Sequence, residues 1–218
     1  MSTLLLRLAA PLQSYGTDSK FDKRMTGKEP SKSAVVGLLA AALGRKREES
    51  LEDLTQLHFG VRVDQEGTLL RDLHTAKSAK TSYLTFRYYL SDAIFLVGVE
   101  SEDAAFLQSL EDAIHHPAFP LYLGRRSCPP TLPLSLGIRN LPLEEALKKE
   151  PWLAKKRGKE EKSSLLRILL DAPDMTYGKQ RDFPISFSSE CREMTYRGIR
   201  SGGYVEVRED HDAMAELR

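Results

Sequence analysis

The sequence predicts a mixed α+β fold, and three observations carry that prediction. Residues 3–9 (TLLLRLA) and 94–99 (IFLVGV) are short runs of branched apolar residues, the pattern of strands buried on both faces. Residues 30–44 are apolar or small almost throughout, between an N-capping Ser31 and a stop at Gly44, which reads as a buried helix over about 32–43. A third segment, opened by Ser101, Glu102 and Asp103, places Phe106, Leu107, Leu110, Ala113 and Ile114 on one helical stripe and ends at His115-His116-Pro117.

The remaining elements fit between these. Residues 11–16 turn the chain, and a polar loop runs to Pro30. A short helix is expected near residues 51–57. Residues 59–64 alternate as a strand, Gln65-Glu66-Gly67 is a turn, and residues 68–74 can return as a strand. Residues 119–123 read as a last short strand before Gly124. The order is strand, helix, strand, strand, helix, strand, with an insertion at about residues 75–92 within or beside the third strand. That is the ferredoxin-like (RRM-like) βαββαβ arrangement, assigned to residues 1–140. Residues 141–218 change character: a short helix over 143–153, a mixed-charge loop at 155–162, a strand at 165–170, a turn-rich stretch at 175–184 and a strand at 204–207. They are expected to form a small C-terminal β-rich domain.

Composition excludes several classes. The 218 residues carry 32 Lys+Arg against 31 Asp+Glu, so net charge points to no partner, and only the distribution of charge is informative. The two cysteines, Cys128 and Cys191, have no metal-ligand spacing, and none of the five histidines pairs with another or with a cysteine as zinc sites do. No cofactor and no metal is expected. Leu4-Leu5-Leu6 is broken by Arg7 without a cleavage pattern after it, and no run approaches the ~20 apolar residues of a membrane span. The expectation is a soluble cytoplasmic protein with no membrane contact. Phosphate-binding glycine loops, nucleophile elbows and the RNP aromatic motif are absent.

Two segments point toward nucleic acid. Between residues 71 and 90, Arg71, Lys77, Lys80 and Arg87 alternate with Tyr83, Phe86, Tyr88 and Tyr89, and Asp72 is the lone acid. Cations meet phosphates and rings meet bases, although a strand with one buried and one solvated face has the same composition. Gly124-Arg125-Arg126 turns two guanidinium groups outward, either as a phosphate fork or as an exposed basic turn. Lys32 stands in the first turn of the buried helix, where the dipole disfavours a cation. It is either a solvated lysine or part of an anion site at the helix start. His74 with Lys77 or Tyr83 contains the residue types for metal-independent RNA cleavage through the 2′-OH, provided that they converge on one phosphate.

Five blocks, in order, carry a resemblance: residues 6–16 (LRLAAPLQSYG), 30–44, 71–75 (RDLHT), 87–93 (RYYLSDA) and 120–130. Together they resemble the Cas-five family of the RAMP superfamily, in the form of the CasD subunits of type I-E CRISPR Cascade complexes. The match runs to about residue 140 and is weak in the C-terminal third. Ala10 stands where glycine is frequent, and Glu29 where an aromatic is frequent. The resemblance implies a ferredoxin-like core with a protruding thumb at about 75–92. It implies a non-catalytic RNA-binding subunit for antiviral defence that holds the five-prime handle of the CRISPR RNA. The partners it implies are the CasC backbone subunit, the large subunit CasA, the other Cascade subunits and, through the complex, target DNA. Precursor processing belongs to CasE in that system, but type I-C relatives cut precursor RNA, which leaves a metal-independent endoribonuclease as the alternative. Carried over by motif, the expected handle contacts are Gln13, Tyr15, Lys32, Ser33, His74, Thr75, Arg87, Arg125 and Arg126, with no catalytic residue among them.

Overall fold

A computed structural model describes residues 1–16, 23–77, 81–154 and 164–207. The expected mixed loop at 155–162 lies outside these residues. The frame is an antiparallel seven-stranded sheet. Its centre is built from β1 (Ser2–Ala9), β4 (His58–Gln65) and β7 (Ile94–Ser101), with β8 (Ser135–Arg139) at one edge. Three strands from the C-terminal third, β9 (Ser164–Ala172), β10 (Lys179–Ser186) and β11 (Glu193–Val207), extend it on the other side, giving the order β10-β11-β9-β4-β7-β1-β8. A second sheet holds two-residue strands β2 (Leu12–Gln13) and β3 (Lys23–Arg24) with the hairpin β5 (Thr68–Lys77) and β6 (Ser82–Ser91).

Helices cover both faces of the large sheet, which is why its central strands read as unbroken apolar runs. On one face α1 (Lys32–Ala42) and α3 (Ala104–His115) pack over Leu4, Leu6, Leu8, Val97 and Val99. On the other, α4 (Leu143–Lys149) packs over Leu5, Leu96, Ile168 and Leu170. Gly60 and Gly98 are cross-strand neighbours beneath α4, and a Cβ on Gly98 would come within 2.5 Å of the Leu143 side chain. These two glycines are what let α4 approach the sheet so closely. Ser31 caps α1 by accepting from the Ala34 N–H, Asp103 caps α3 by accepting from the Phe106 N–H at 2.9 Å, and Gly44, at φ +79°, ends α1. The short helix near 51–57 is α2 (Glu52–Thr55).

Four expectations are corrected. Residues 119–123 are not a strand. Pro117 and Pro120 interrupt the donors there, and the Phe119 N–H goes to the Ala41 carbonyl at the end of α1. The edge strand is instead β8, whose Gly137 at φ +89° and five-residue length hide it from pattern reading. Residues 68–74 do not return to the main sheet. They pair residue for residue with β6, so the inserted hairpin begins at Thr68 rather than at 75. The turn-rich 175–184 stretch largely gives way to β10, an edge strand that tolerates Pro184, and its partner β11 starts at Glu193 rather than 204.

Candidate nucleic-acid interface

Strand β6 is the axis of the second sheet. One side pairs with β5 from Thr68↔Ser91 to Lys77↔Ser82. The other pairs antiparallel with β2 and then parallel with β3, where Arg24 lies opposite Arg87. Side chains alternate along a strand, and directly paired residues share a face. One face therefore carries Asp72, His74, Tyr83, Thr85, Arg87 and Tyr89, with Arg24 beside Arg87. The opposite face carries Arg71, Leu73, Thr75, Lys77, Leu84 and Phe86, with the Arg71 guanidinium 5.4 Å from the centre of the Phe86 ring.

The loop after Leu123 folds onto the first of these faces. Gly124, at φ +84°, makes the turn. A Cβ there would come within 1.7 Å of the Ser14 carbonyl oxygen, so only glycine fits. Arg125 then lies over the Tyr89 ring at 4.6 Å and donates from Nη2 to the Arg24 carbonyl at 2.8 Å. Arg126 is exposed and, among the described residues, makes no ion pair or side-chain hydrogen bond. Among the described residues of strand β3, the hairpin and the 124–127 turn, Arg24, Arg87, Arg125 and Arg126 lie on or beside this face, Lys23, Arg71 and Lys77 lie on the opposite one, and the one acid is Asp72. That acid is bonded to His74 at 2.5 Å. Such a concentration, in a chain otherwise balanced in charge, attracts polyanions.

The expected contact residues divide into two groups. Arg87, Arg125 and His74 lie on one face and Arg126 on the adjoining turn, while Thr75 projects to the opposite face. Gln13 and Tyr15 are buried. Gln13 donates to the Ala93 carbonyl at 2.6 Å and accepts from the Tyr15 hydroxyl at 2.6 Å, and Tyr15 packs edge-on against Phe95. Burial pushes the Tyr15 hydroxyl well above the usual tyrosine range. Ser33 contacts the capping Ser31 hydroxyl at 3.2 Å. Lys32 is also buried: its ammonium donates to Asp171 and to the Leu57 carbonyl, both at 2.8 Å. An anion does sit at the start of α1, as the dipole favours, but it is the carboxylate of Asp182, which accepts from the Lys32 backbone N–H at 2.8 Å. Arg197 completes the group, bonded to Asp171 at 2.6 Å and to Asp182 at 2.8 Å.

Pattern reading missed three features. Arg24 reaches the site through a two-residue strand too short to show periodicity, and the Lys23-Arg24 doublet in a polar loop is its only signal. The Lys32, Asp171, Asp182 and Arg197 quartet joins residues up to 165 positions apart and leaves no local signature. A buried pair, Arg62 and Asp64 on β4, shows only as charges at alternate positions in an otherwise buried strand. Among the described residues, no group of three or more His, Cys, Asp or Glu is placed to hold a metal, and no helix is long and apolar enough to cross a membrane.

Residues 3–208 match the family model for the CRISPR-associated protein Cas5. The chain belongs to the Cas5 family. The Cascade subunit CasD of the CRISPR system of Escherichia coli (strain K12) is 39% identical over 158 residues, spanning 62% of this chain and 70% of that protein. A chain in a solved CRISPR RNA-guided surveillance complex superimposes with a TM-score of 0.80 at 33% identity, covering 95% of this chain and 91% of the other. A crystal structure described as a Cas protein superimposes at 0.74 with 41% identity, covering 94% and 95%. The mixed α+β architecture with antiparallel sheets is thus that of Cas5 structures, and this Cas5 chain is a homologue of CasD.

Proposed function

We propose that this chain is the Cas5 subunit of a type I-E Cascade and that it binds and caps the five-prime handle of the CRISPR RNA without cutting it. The observation that carries this reading is the basic surface on the His74 face of β6, where Arg24, Arg87, Arg125 and Arg126 meet a single acid among the described residues, in a chain 39% identical to CasD. Under this reading the strand order β8-β1-β7-β4, with α1 and α3 on one face, is the ferredoxin-like core of residues 1–140. The β5–β6 hairpin is its thumb, and in the C-terminal part, residues 141–218, strands β9, β10 and β11 extend the same sheet. Partners are the CasC backbone subunit, CasA and the remaining Cascade subunits, with target DNA met through the complex in the cytoplasm.

The contact roles follow from exposure and pairing. Arg24, Arg87, Arg125 and Arg126 hold phosphates, Tyr83 offers a ring for stacking, and His74 and Thr75 reach sugars or bases from opposite faces of the hairpin. Gln13, Tyr15, Ser33 and Lys32 act behind the surface, since their polar atoms are engaged within the protein. The endoribonuclease alternative needs a base, an acid and a cation on one phosphate. Alternation along β5 sends Lys77 to the face opposite His74 and Tyr83, and the His74 ring is held by Asp72.

The test is the salt dependence of binding to a handle oligonucleotide by the full-length protein. Log affinity is expected to fall linearly with log salt, with a slope of about −0.7 for each phosphate neutralised. Arg126→Ala is expected to weaken binding for every RNA sequence and to flatten that slope by about 0.7. An affinity independent of salt contradicts the proposal.

A further inference from the structure

Among the described residues, two buried side-chain nitrogens or oxygens have no hydrogen-bond partner: Nε of Arg87 and Nη1 of Arg125. Both belong to guanidinium groups of the basic surface, and they are neighbours. Arg87 and Tyr89 lie two residues apart on one face of β6, Arg125 covers Tyr89, and Arg24, which lies opposite Arg87, accepts from Arg125. A buried charged donor without an acceptor is more costly than a lost neutral bond, and native proteins rarely leave one. Two in adjacent positions mark a place whose counter-group comes from outside the described residues. The acid in register with Arg87 is Asp72, and its carboxylate is turned to His74 instead.

The missing group must be anionic and must offer at least two acceptor oxygens. A phosphodiester has both, and guanidinium forks match its geometry. The bases at the rim decide between a lone carboxylate and a polyanion. Arg24 on β3 and Arg126 on the turn are exposed, so positive charge continues past Arg87 and Arg125, as a strand of repeated phosphates requires.

We infer that Arg87 and Arg125 hold one and the same phosphodiester of the bound RNA strand, a two-arginine clamp that sets the register of the handle on the protein without reading a base. Arg24 extends the clamp along the strand, and Tyr89 fixes the Arg125 plane from beneath. This inference rests on the handle-binding reading above and adds to it the convergence of the two side chains on a single linkage.

Handle oligonucleotides in which one phosphodiester at a time is replaced by an uncharged methylphosphonate, titrated against the full-length protein, test it. One linkage is expected to weaken wild-type binding about tenfold, the loss of one charge-assisted contact. Arg87→Ala and Arg125→Ala are each expected to become insensitive to that same linkage while keeping their sensitivity to the others. Arg125→Lys, which keeps the charge above Tyr89 but not the fork, guards against misfolding and is expected to lose part of the effect at the same position. Insensitivity of the two alanine variants at two different linkages, or full sensitivity of both at every linkage, overturns the shared clamp while leaving handle binding intact. Failure of the wild-type protein to bind the unmodified oligonucleotide overturns handle binding, and the clamp with it.

Discussion

Arg62→Ala is expected to cost about 3–5 kcal/mol of stability, the range for removing one partner of a buried ion pair. That is a large share of the 5–15 kcal/mol typical of a whole domain. Arg62 and Asp64 have no exposed side-chain surface. The guanidinium makes two bonds to the Asp64 carboxylate at 2.7 and 2.8 Å and donates to the carbonyls of Leu147, Glu150 and Pro151 at 2.6 to 2.7 Å. Those carbonyls lie at and just beyond the C-terminal end of α4, where helices leave acceptors unpaired. Asp64 in turn accepts from the Leu153 N–H through its side chain and from the Trp152 ring N–H through its backbone carbonyl, both at 2.8 Å. Without Arg62, a buried carboxylate and three carbonyls lose their partner together. The readout is the urea midpoint of the variant against wild type, together with Trp152 fluorescence, which reports the same corner. A midpoint shift worth less than about 1 kcal/mol, in the range of an exposed pair, contradicts the buried clamp.

Arg197→Ala is expected to be comparably costly but differently distributed. Arg197 ties Asp171 on β9 to Asp182 on β10 and lies over the Phe59 ring at 5.1 Å, while Asp171 and Asp182 both reach Lys32 on α1. Two carboxylates and two cations balance here. Removing Arg197 leaves two acids against one lysine in a largely buried setting, again about 3–5 kcal/mol. The expected outcome in hydrogen exchange is lost amide protection in β10 and β11, at the outer end of the sheet, with β1 and β7 protected as before. Uniform loss of protection across all strands, or no loss, contradicts a quartet that fastens the C-terminal strands to α1. Lys32→Ala is the milder relative, because Asp171 keeps Arg197. It is expected to lower the urea midpoint while leaving the affinity for a handle oligonucleotide unchanged, the reverse of what a phosphate-binding lysine at a helix start predicts.

The contrast at Lys32 indicates what one sequence can and cannot carry. The buried helix, the caps at Ser31 and Asp103, and the strands at β1, β4 and β7 are legible because each is written in consecutive residues: periodicity, capping chemistry and unbroken apolar runs. The attraction of an anion to the start of α1 is legible for the same reason. Its identity is not, because the carboxylate that fills the place comes from Asp182, 150 residues further on, and local pattern has no access to that pairing. The same limit explains β8 and β10. Their glycine and proline are penalised by strand propensity, whereas edge positions in the assembled sheet accept both. At the basic surface, the side chains near the hairpin were visible as alternating bases and aromatics, but their division into two faces depends on the register of β5 with β6. That register places His74 with Arg87 and sends Thr75 and Lys77 to the other side.

The most direct measurement is incubation of the full-length protein with end-labelled precursor repeat RNA in EDTA, resolved in parallel on native and denaturing gels. A handle-binding Cas5 subunit is expected to shift the RNA on the native gel and to leave it intact on the denaturing gel. Specific cleavage within the repeat contradicts that account and makes the protein a processing nuclease, with His74 and Tyr83, which share a face of the hairpin, the first residues to replace.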